Sequence, residues 1–102
     1  MSKVSIITVC KNEVEGIRRT LKSVLSQKFR DFEYIVIDGG STDGTQAIIN
    51  EYKKELTHFE SESDAGVFAG QNKGIKAANG DYLLFINGGD AIHDDSVLED
   101  IF

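Results

Sequence analysis

The 102-residue chain has no proline, no tryptophan and a single cysteine, Cys10. One cysteine excludes an internal disulfide and fits a reducing compartment. The missing proline is unusual and excludes nothing about the fold. Basic residues are in deficit: 11 Lys and Arg stand against 17 Asp and Glu, for a formal net charge of -6. With no block of Lys and Arg, that argues against binding to a nucleic-acid backbone. No run reaches the ~18 apolar residues of a membrane helix. The start, Met1 to Ile7, lacks the apolar stretch and small-residue cleavage site of a signal peptide. The expected location is therefore cytoplasmic. There is no internal repeat and no low-complexity linker. The composition, 40% hydrophobic and 27% charged, is that of a soluble globular chain with room for one domain.

Strand-like and helix-like stretches alternate. Val4 to Val9 is rich in β-branched residues and reads as a strand. Asn12 is the expected N-cap of a helix running to about Gln27, with Ile17, Leu21, Val24 and Leu25 on one face. Phe32 to Asp38 reads as the second strand. Ser41, Thr42 and Asp43 favour a helix start, and the second helix is expected from Thr42 to about Leu56. His58 to Glu62 is a third strand, polar enough for a sheet edge, and Asp64-Ala65-Gly66 is a turn. A third helix is expected from Val67 to Ala78, stopped by Asn79-Gly80. Tyr82 to Ile86 is apolar on both faces, which predicts a strand central in a parallel sheet. Asp94 or Asp95 is expected to cap a last helix, Ser96 to Phe102.

This alternation predicts an α/β fold with a parallel sheet. Strand order 3-2-1-4 keeps strands 1 and 2 inside and strand 3 at an edge. Chain direction then reverses between strands 1 and 4, and ligands bind at the carboxyl ends of strands beside such a switch point. Three unusual loops follow strands 1, 2 and 4: Cys10 to Glu13, Asp38 to Ser41, and Asn87 to Asp90. They are expected to meet in one crevice. In the second, a strand delivers Asp38 into a turn walled by Gly39 and Gly40, where a ligand can approach the backbone.

The crevice would gather Asp38, Asp90 and nearby Asp64, with Lys11 as its fixed cation. A bare phosphate is repelled there, since like charges ~4 Å apart cost about 4 kcal/mol at an effective dielectric near 20. A divalent ion reverses the sign, because Mg²⁺ or Mn²⁺ takes one or two carboxylates plus substrate phosphates. Such a site suits a nucleoside diphosphate as leaving group. Other chemistries lack their residues. Cys10-Lys11-Asn12-Glu13 replaces the glycine-rich loop of a dinucleotide fold, and there is no Walker A loop. Gly40 stands where an aspartate-nucleophile phosphatase would carry its second Asp. His58, His93 and Cys10 are too scattered for a zinc site.

Taken together, several segments resemble glycosyltransferase family 2. They are Val4 to Glu13, Leu25-Ser26-Gln27, Asp38-Gly39-Gly40-Ser41-Thr42-Asp43-Gly44-Thr45, Asn72-Lys73-Gly74-Ile75 and Gly80-Asp81-Tyr82. The resemblance implies a GT-A fold, a Rossmann-like three-layer sandwich, of which residues 1–102 are the donor-binding half. It implies that Thr8, Val9, Cys10, Lys11, Glu13, Asp38, Gly39, Ser41, Asp64 and Asn72 bind a nucleotide sugar, a UDP-sugar by family habit. It assigns the metal site, for Mn²⁺ or Mg²⁺, to Asp90 with Asn87. It further implies inverting transfer to the hydroxyl of a carbohydrate or lipid-linked acceptor. Family habit adds surface-polysaccharide synthesis at the inner face of a membrane, with peripheral association of the longer enzyme.

The chain departs from the family pattern in three ways. Gly39 stands where a second acid often follows Asp38. Asn87-Gly88-Gly89-Asp90 replaces Asp-x-Asp-Asp. The family's catalytic base lies beyond the position of Phe102, so these residues are expected to bind donor and transfer little sugar alone. A nucleotide-binding or interaction module without chemistry remains the alternative reading. A sugar nucleotidyltransferase would need a glycine-rich, basic loop after strand 1.

Overall fold

The computed structural model describes residues 3–63 and 66–102. Two apolar runs make the centre of the molecule: β1 (Val4–Cys10) and β2 (Phe32–Asp38) lie side by side in parallel. β3 (His58–Ser61) pairs with β2 and β4 (Tyr82–Phe85) with β1, giving the parallel order β3-β2-β1-β4. The register sets Cys10 opposite Asp38, and Asp38 opposite Ser61. The ends of three neighbouring strands are therefore level, and the loops leaving them start from one rim.

Period-2 alternation sends side chains to both faces of the sheet, and both are covered. On one face Val4, Ile6, Tyr34 and Val36 pack with Ile17, Leu21 and Val24 of α1 (Ile17–Leu25), Ile49 of α2 (Thr45–Glu51) and Leu98 of α4 (Val97–Ile101). Fully burying Ile17, Leu21 and Val24 contributes about 1.5–3 kcal/mol each. On the other face Ile7, Ile35 and Ile37 meet Ala77 of α3 (Val67–Ala77) and the following Ala78. Gly74 lets α3 lie that close, because a Cβ there would sit 2.4 Å from Ile7 Cγ2. At the opposite end of the strands, buried Glu33 accepts from Ser5 Oγ at 2.6 Å and the Asn79 N–H at 2.6 Å. That clasp ties β2 to β1 and to the segment entering β4.

Four expectations need correction. Asn12 does not cap α1. It adopts φ 52°, and its Oδ1 accepts the Thr42 N–H at 2.8 Å, while Gly16 takes the N-cap and the helix starts at Ile17. The second helix begins at Thr45 rather than Thr42, because Gly44 turns the chain at φ 103°. It ends at Glu51, and a short 3-10 helix, Lys53–Glu55, replaces its last turn. Asn79-Gly80 is not a left-handed helix stop: Ala78 leaves α3 extended, and Gly80 is small because a Cβ would lie 2.6 Å from the Ser5 nitrogen. Finally, β4 is not central. It pairs with β1 alone among the described strands, and Tyr82, Leu83 and Phe85 are 55%, 44% and 38% exposed. Two-sided apolarity matches a strand waiting for cover as well as one already covered.

Candidate functional site

The loops after β1, β2 and β4 meet around a pocket of about 280 Å³. Val9 and Cys10 come from the end of β1, Lys11 and Glu13 from the loop that follows it, Gly39 from the second loop, and Asn87 and Gly88 from the third; Gly66 closes the rim. Backbone bonds hold the loops together. The Gly39 N–H donates to the Cys10 carbonyl at 2.9 Å, and the Gly88 N–H to the Val9 carbonyl at 3.0 Å. Side chains cross the first gap as well: Ser41 Oγ accepts the Asn12 N–H at 2.7 Å, Thr45 Oγ1 the Glu13 N–H at 2.9 Å, and Asp43 Oδ2 the Val14 N–H at 3.2 Å. These polar residues after β2 are spent on holding the loop after β1, which is why they do not start a helix.

Asp38 is at the centre of that framework and faces inward. Its residue is 0% exposed. Its carboxylate accepts from Gly40 N–H (3.1 Å), Ser41 N–H (2.9 Å), Ser41 Oγ, Ser61 Oγ (2.7 Å) and Cys10 Sγ (3.5 Å). A carboxylate has about four lone-pair sites, so these donors use its capacity. Burial pushes its pKa up, but the hydrogen bonds led by those of Ser41 outweigh burial and hold the carboxyl below its usual range. Burial and the Asp38 charge push the Cys10 thiol far above its ordinary value, so Cys10 is a packed donor and not a nucleophile.

The loop after β4 is anchored by α1. Thr20 Oγ1 accepts the Gly89 N–H at 2.9 Å and donates to the Asp90 carbonyl, and the Arg19 guanidinium donates to the Gly89 carbonyl. The Asp90 N–H donates to the Asn87 carbonyl at 3.0 Å, closing a tight turn whose end residues are exposed. Asp90 and Asn87 therefore offer one carboxylate and one amide oxygen from the two ends of that turn. Among the described residues no group of three His, Cys, Asp or Glu stands ready to hold a metal.

Of the residues expected at the site, Val9, Cys10, Lys11, Glu13, Gly39 and Asn87 line the pocket. Thr8 does not: it is buried, with its Oγ1 2.7 Å from the Tyr34 hydroxyl. Asp38 and Ser41 lie behind the wall, at 0% and 8% exposure. Asn72 is exposed on α3 and Asp90 is exposed at the end of its turn, neither lining the pocket. Asp64 lies outside the described residues. Thr20, Arg19 and Ser61 carry structural duties that the sequence reading missed. Thr20 left a signal, a polar residue one turn from Ile17 on the apolar stripe; Ser61 left none.

Comparison with known proteins gives a consistent picture. The family model described as Glycosyl transferase family 2 matches residues 5–102. An uncharacterized glycosyltransferase of Mycobacterium tuberculosis is 41% identical over 88 residues, covering 85% of this chain and 34% of that protein. The poly-beta-1,6-N-acetyl-D-glucosamine synthase of Staphylococcus epidermidis is 36% identical over 95 residues, covering 91% of this chain and 23% of the synthase. The chain thus spans about a third or less of these relatives' length. In structure it is similar to S. aureus TarS 1-349 in complex with UDP-GlcNAc, with TM-score 0.88 and 30% identity, over 97% of this chain and 30% of TarS. The expected GT-A architecture is the one observed. No helix among the described residues is long and apolar enough to cross a membrane.

Proposed function

This chain belongs to glycosyl transferase family 2, and from that premise we propose that residues 1–102 form the donor-binding half of an inverting glycosyltransferase. The donor is a nucleoside-diphosphate sugar, a UDP-sugar in the first instance. The acceptor is a hydroxyl on a carbohydrate or lipid-linked chain. The observation that carries the reading is the convergence of the loops after β1, β2 and β4 on one pocket at the carboxyl ends of the strands, where α/β sheets bind ligands. Its volume, about 280 Å³, is at the small end of ligand sites and suits a nucleoside, with the diphosphate reaching outward. The likeness to TarS, solved with UDP-GlcNAc, supports the same class of donor.

Residues of this chain would divide the work. Val9 and the glycine-lined walls receive the base, and the exposed Lys11 ammonium attracts the diphosphate. Asp90 with Asn87 would hold a divalent ion. One carboxylate and one amide oxygen suit a hard cation that takes its remaining ligands from phosphate and water. Bound there, the ion would supply charge neutralisation for the departing diphosphate. The base that deprotonates the acceptor belongs, in this reading, to a part of the enzyme outside these residues, so the segment by itself binds without turnover. Surface-polysaccharide assembly at the cytoplasmic face of a membrane, by peripheral association, is the setting we infer. The name of the S. epidermidis relative, a polysaccharide synthase, supports the polysaccharide part of that setting.

Titration calorimetry with UDP, with and without Mn²⁺, tests the proposal. Binding that appears with Mn²⁺ and is lost on adding EDTA is the expected result. Folded protein that gives no heat with UDP, GDP, ADP or CDP, metal present, refutes it. Metal-independent binding would instead favour the second reading, a nucleotide-binding module without chemistry, which the loss of acids at Asn87 and Gly89 favours.

A further inference from the structure

We propose that Thr20 of α1 is the positioning residue for the turn after β4, and that it sets how tightly the site holds a divalent ion without touching that ion. This role rests on the donor-binding reading above, in which Asp90 and Asn87 face the metal. Residues 86–96, between β4 and α4, form neither helix nor strand, so the turn takes its shape from the elements it bonds. Two of them share that duty. β1 holds the approach: the Ile86 and Gly88 N–H groups donate to the Ile7 and Val9 carbonyls at 2.9 and 3.0 Å. From Gly89 onward the partner is α1.

One face of that helix and its ends is polar and points at the turn. Gly16, Thr20, Ser23 and Gln27 recur after four, three and four residues, the spacing of a single helix face, beside the apolar stripe of Ile17, Leu21 and Val24. A Cβ on Gly16 would sit 2.8 Å from Gly89 Cα, so the start of the helix is pressed against the turn. Thr20 is 0% exposed; its Oγ1 accepts the Gly89 N–H at 2.9 Å and donates to the Asp90 carbonyl. Ser23 Oγ accepts the Ile92 N–H at 3.1 Å. Buried Gln27 donates from Nε2 to the Asp94 carbonyl at 2.6 Å and accepts the Leu98 N–H on Oε1 at 3.1 Å. Each of these bonds reaches main chain, and Asn87 and Asp90 remain exposed. The helix fixes the path of the segment and leaves those two side chains to a ligand.

The two ion ligands are therefore held by different elements. Asn87 lies between two N–H groups bonded to β1. Asp90 follows Gly89, and Thr20 brackets the peptide that joins them, bonding the Gly89 N–H on one side and the Asp90 carbonyl on the other. The separation of the ligands thus follows from how α1 sits against β1, and Thr20 is the link. A site held in its binding geometry avoids the ordering cost that a loose turn adds. Losing a partner that orients a metal ligand typically lowers affinity by about 10–100-fold. Thr20 acts through the backbone of Asp90 and not on its carboxylate, which sets the expected loss at the low end of that range.

The test separates the ion from the base. Calorimetry measures the affinity for UDP with Mn²⁺, and amide shift changes measure the affinity for uridine, which has no phosphate to bridge to a metal. Both are read on the whole chain, on Thr20→Val, on Thr20→Ser and on Ser5→Ala, each checked for folding by thermal melt. Thr20→Val should weaken UDP with Mn²⁺ by about tenfold and leave uridine unchanged. Thr20→Ser keeps the hydroxyl and should restore the native value. Ser5→Ala cuts bonds to Glu33 and Gly80 at the far end of the strands; it should lower the melting temperature and leave both affinities unchanged. If Thr20→Val does not fold, Ser23→Ala serves: it removes the Ile92 anchor two residues past Asp90 and should give a smaller loss, again with uridine unchanged. Unchanged UDP affinity in the folded variant, an equal loss for uridine, a Thr20→Ser as weak as Thr20→Val, or a matching loss in Ser5→Ala each overturns the role of Thr20 while leaving donor binding intact. A native chain that binds no nucleoside diphosphate, or binds UDP equally well without Mn²⁺, overturns the metal-bridged donor reading and this role with it.

Discussion

Replacing Asp38 by Asn should cost stability before it costs recognition. The amide keeps the shape of the carboxylate but not its charge. In the better orientation its oxygen still accepts the Gly40 and Ser41 N–H groups, and its NH₂ turns toward Ser41 Oγ, which can rotate to accept. Three bonds to the Oδ2 side, from Gly40, Ser41 and Ser61, then lose their charge assistance. Each such loss is worth about 1 kcal/mol, so the substitution should cost about 3 kcal/mol. For a domain of this size that corresponds to a fall in Tm of roughly 12–24 °C. The pH dependence follows from the sign of the shift. The folded-state pKa of Asp38 is lowered from its ordinary 3.8. Its contribution is therefore complete above that value and is lost as pH falls through the folded-state pKa. Asp38→Asn should flatten this part of the acid limb. Urea unfolding across about pH 2–7, a range that spans the ordinary Asp pKa of about 3.9, reads both effects. A variant within about 0.5 kcal/mol of the native chain, the usual range of an inconsequential surface change, would refute the keystone role. So would undiminished stability with UDP binding lost, which would make the carboxylate a ligand contact.

Two neighbours give smaller, separable effects. Asn12→Gly should lose only the bond to the Thr42 N–H, about 1 kcal/mol. Asn12→Ala should lose that bond and add the strain of a non-glycine residue at positive φ, about 1 kcal/mol more; denaturant curves that rank Ala at or above Gly would show that φ 52° is not the constraint. Thr20→Val removes the acceptor for the Gly89 N–H and the donor to the Asp90 carbonyl. It should cost about 1–2 kcal/mol and speed hydrogen exchange at Gly89. Unchanged exchange there would mean that α1 does not hold the turn.

What the sequence made legible was whatever one residue's own chemistry decides. Val4 to Cys10 and Phe32 to Asp38 are apolar on both faces and rich in β-branched residues, and they are the buried pair at the centre of the sheet. His58 to Ser61 is polar and lies at an edge. The rim of the pocket followed from strand order alone. What stayed hidden was how polar side chains are spent. Asn12 and Ser41 have the chemistry of caps, and nothing local reveals that they bond each other's loops across 29 residues. Asp38 reads as a carboxylate offered to a ligand, because the inward turn that buries it depends on Ser61, a residue 23 positions away. For β4, hydrophobicity alone does not distinguish an interior strand from an edge whose apolar side chains remain exposed.

The direct test of the account is a map of where a nucleoside diphosphate touches the chain. Amide chemical-shift perturbation on titrating UDP with Mg²⁺ should concentrate at Val9 to Glu13, Gly39 and Asn87 to Asp90, and leave Ser5, Glu33 and Asn79 at the far end of the strands unmoved. Saturable binding whose perturbations gather at that far end, or that spare the loops after β1 and β4, would contradict it.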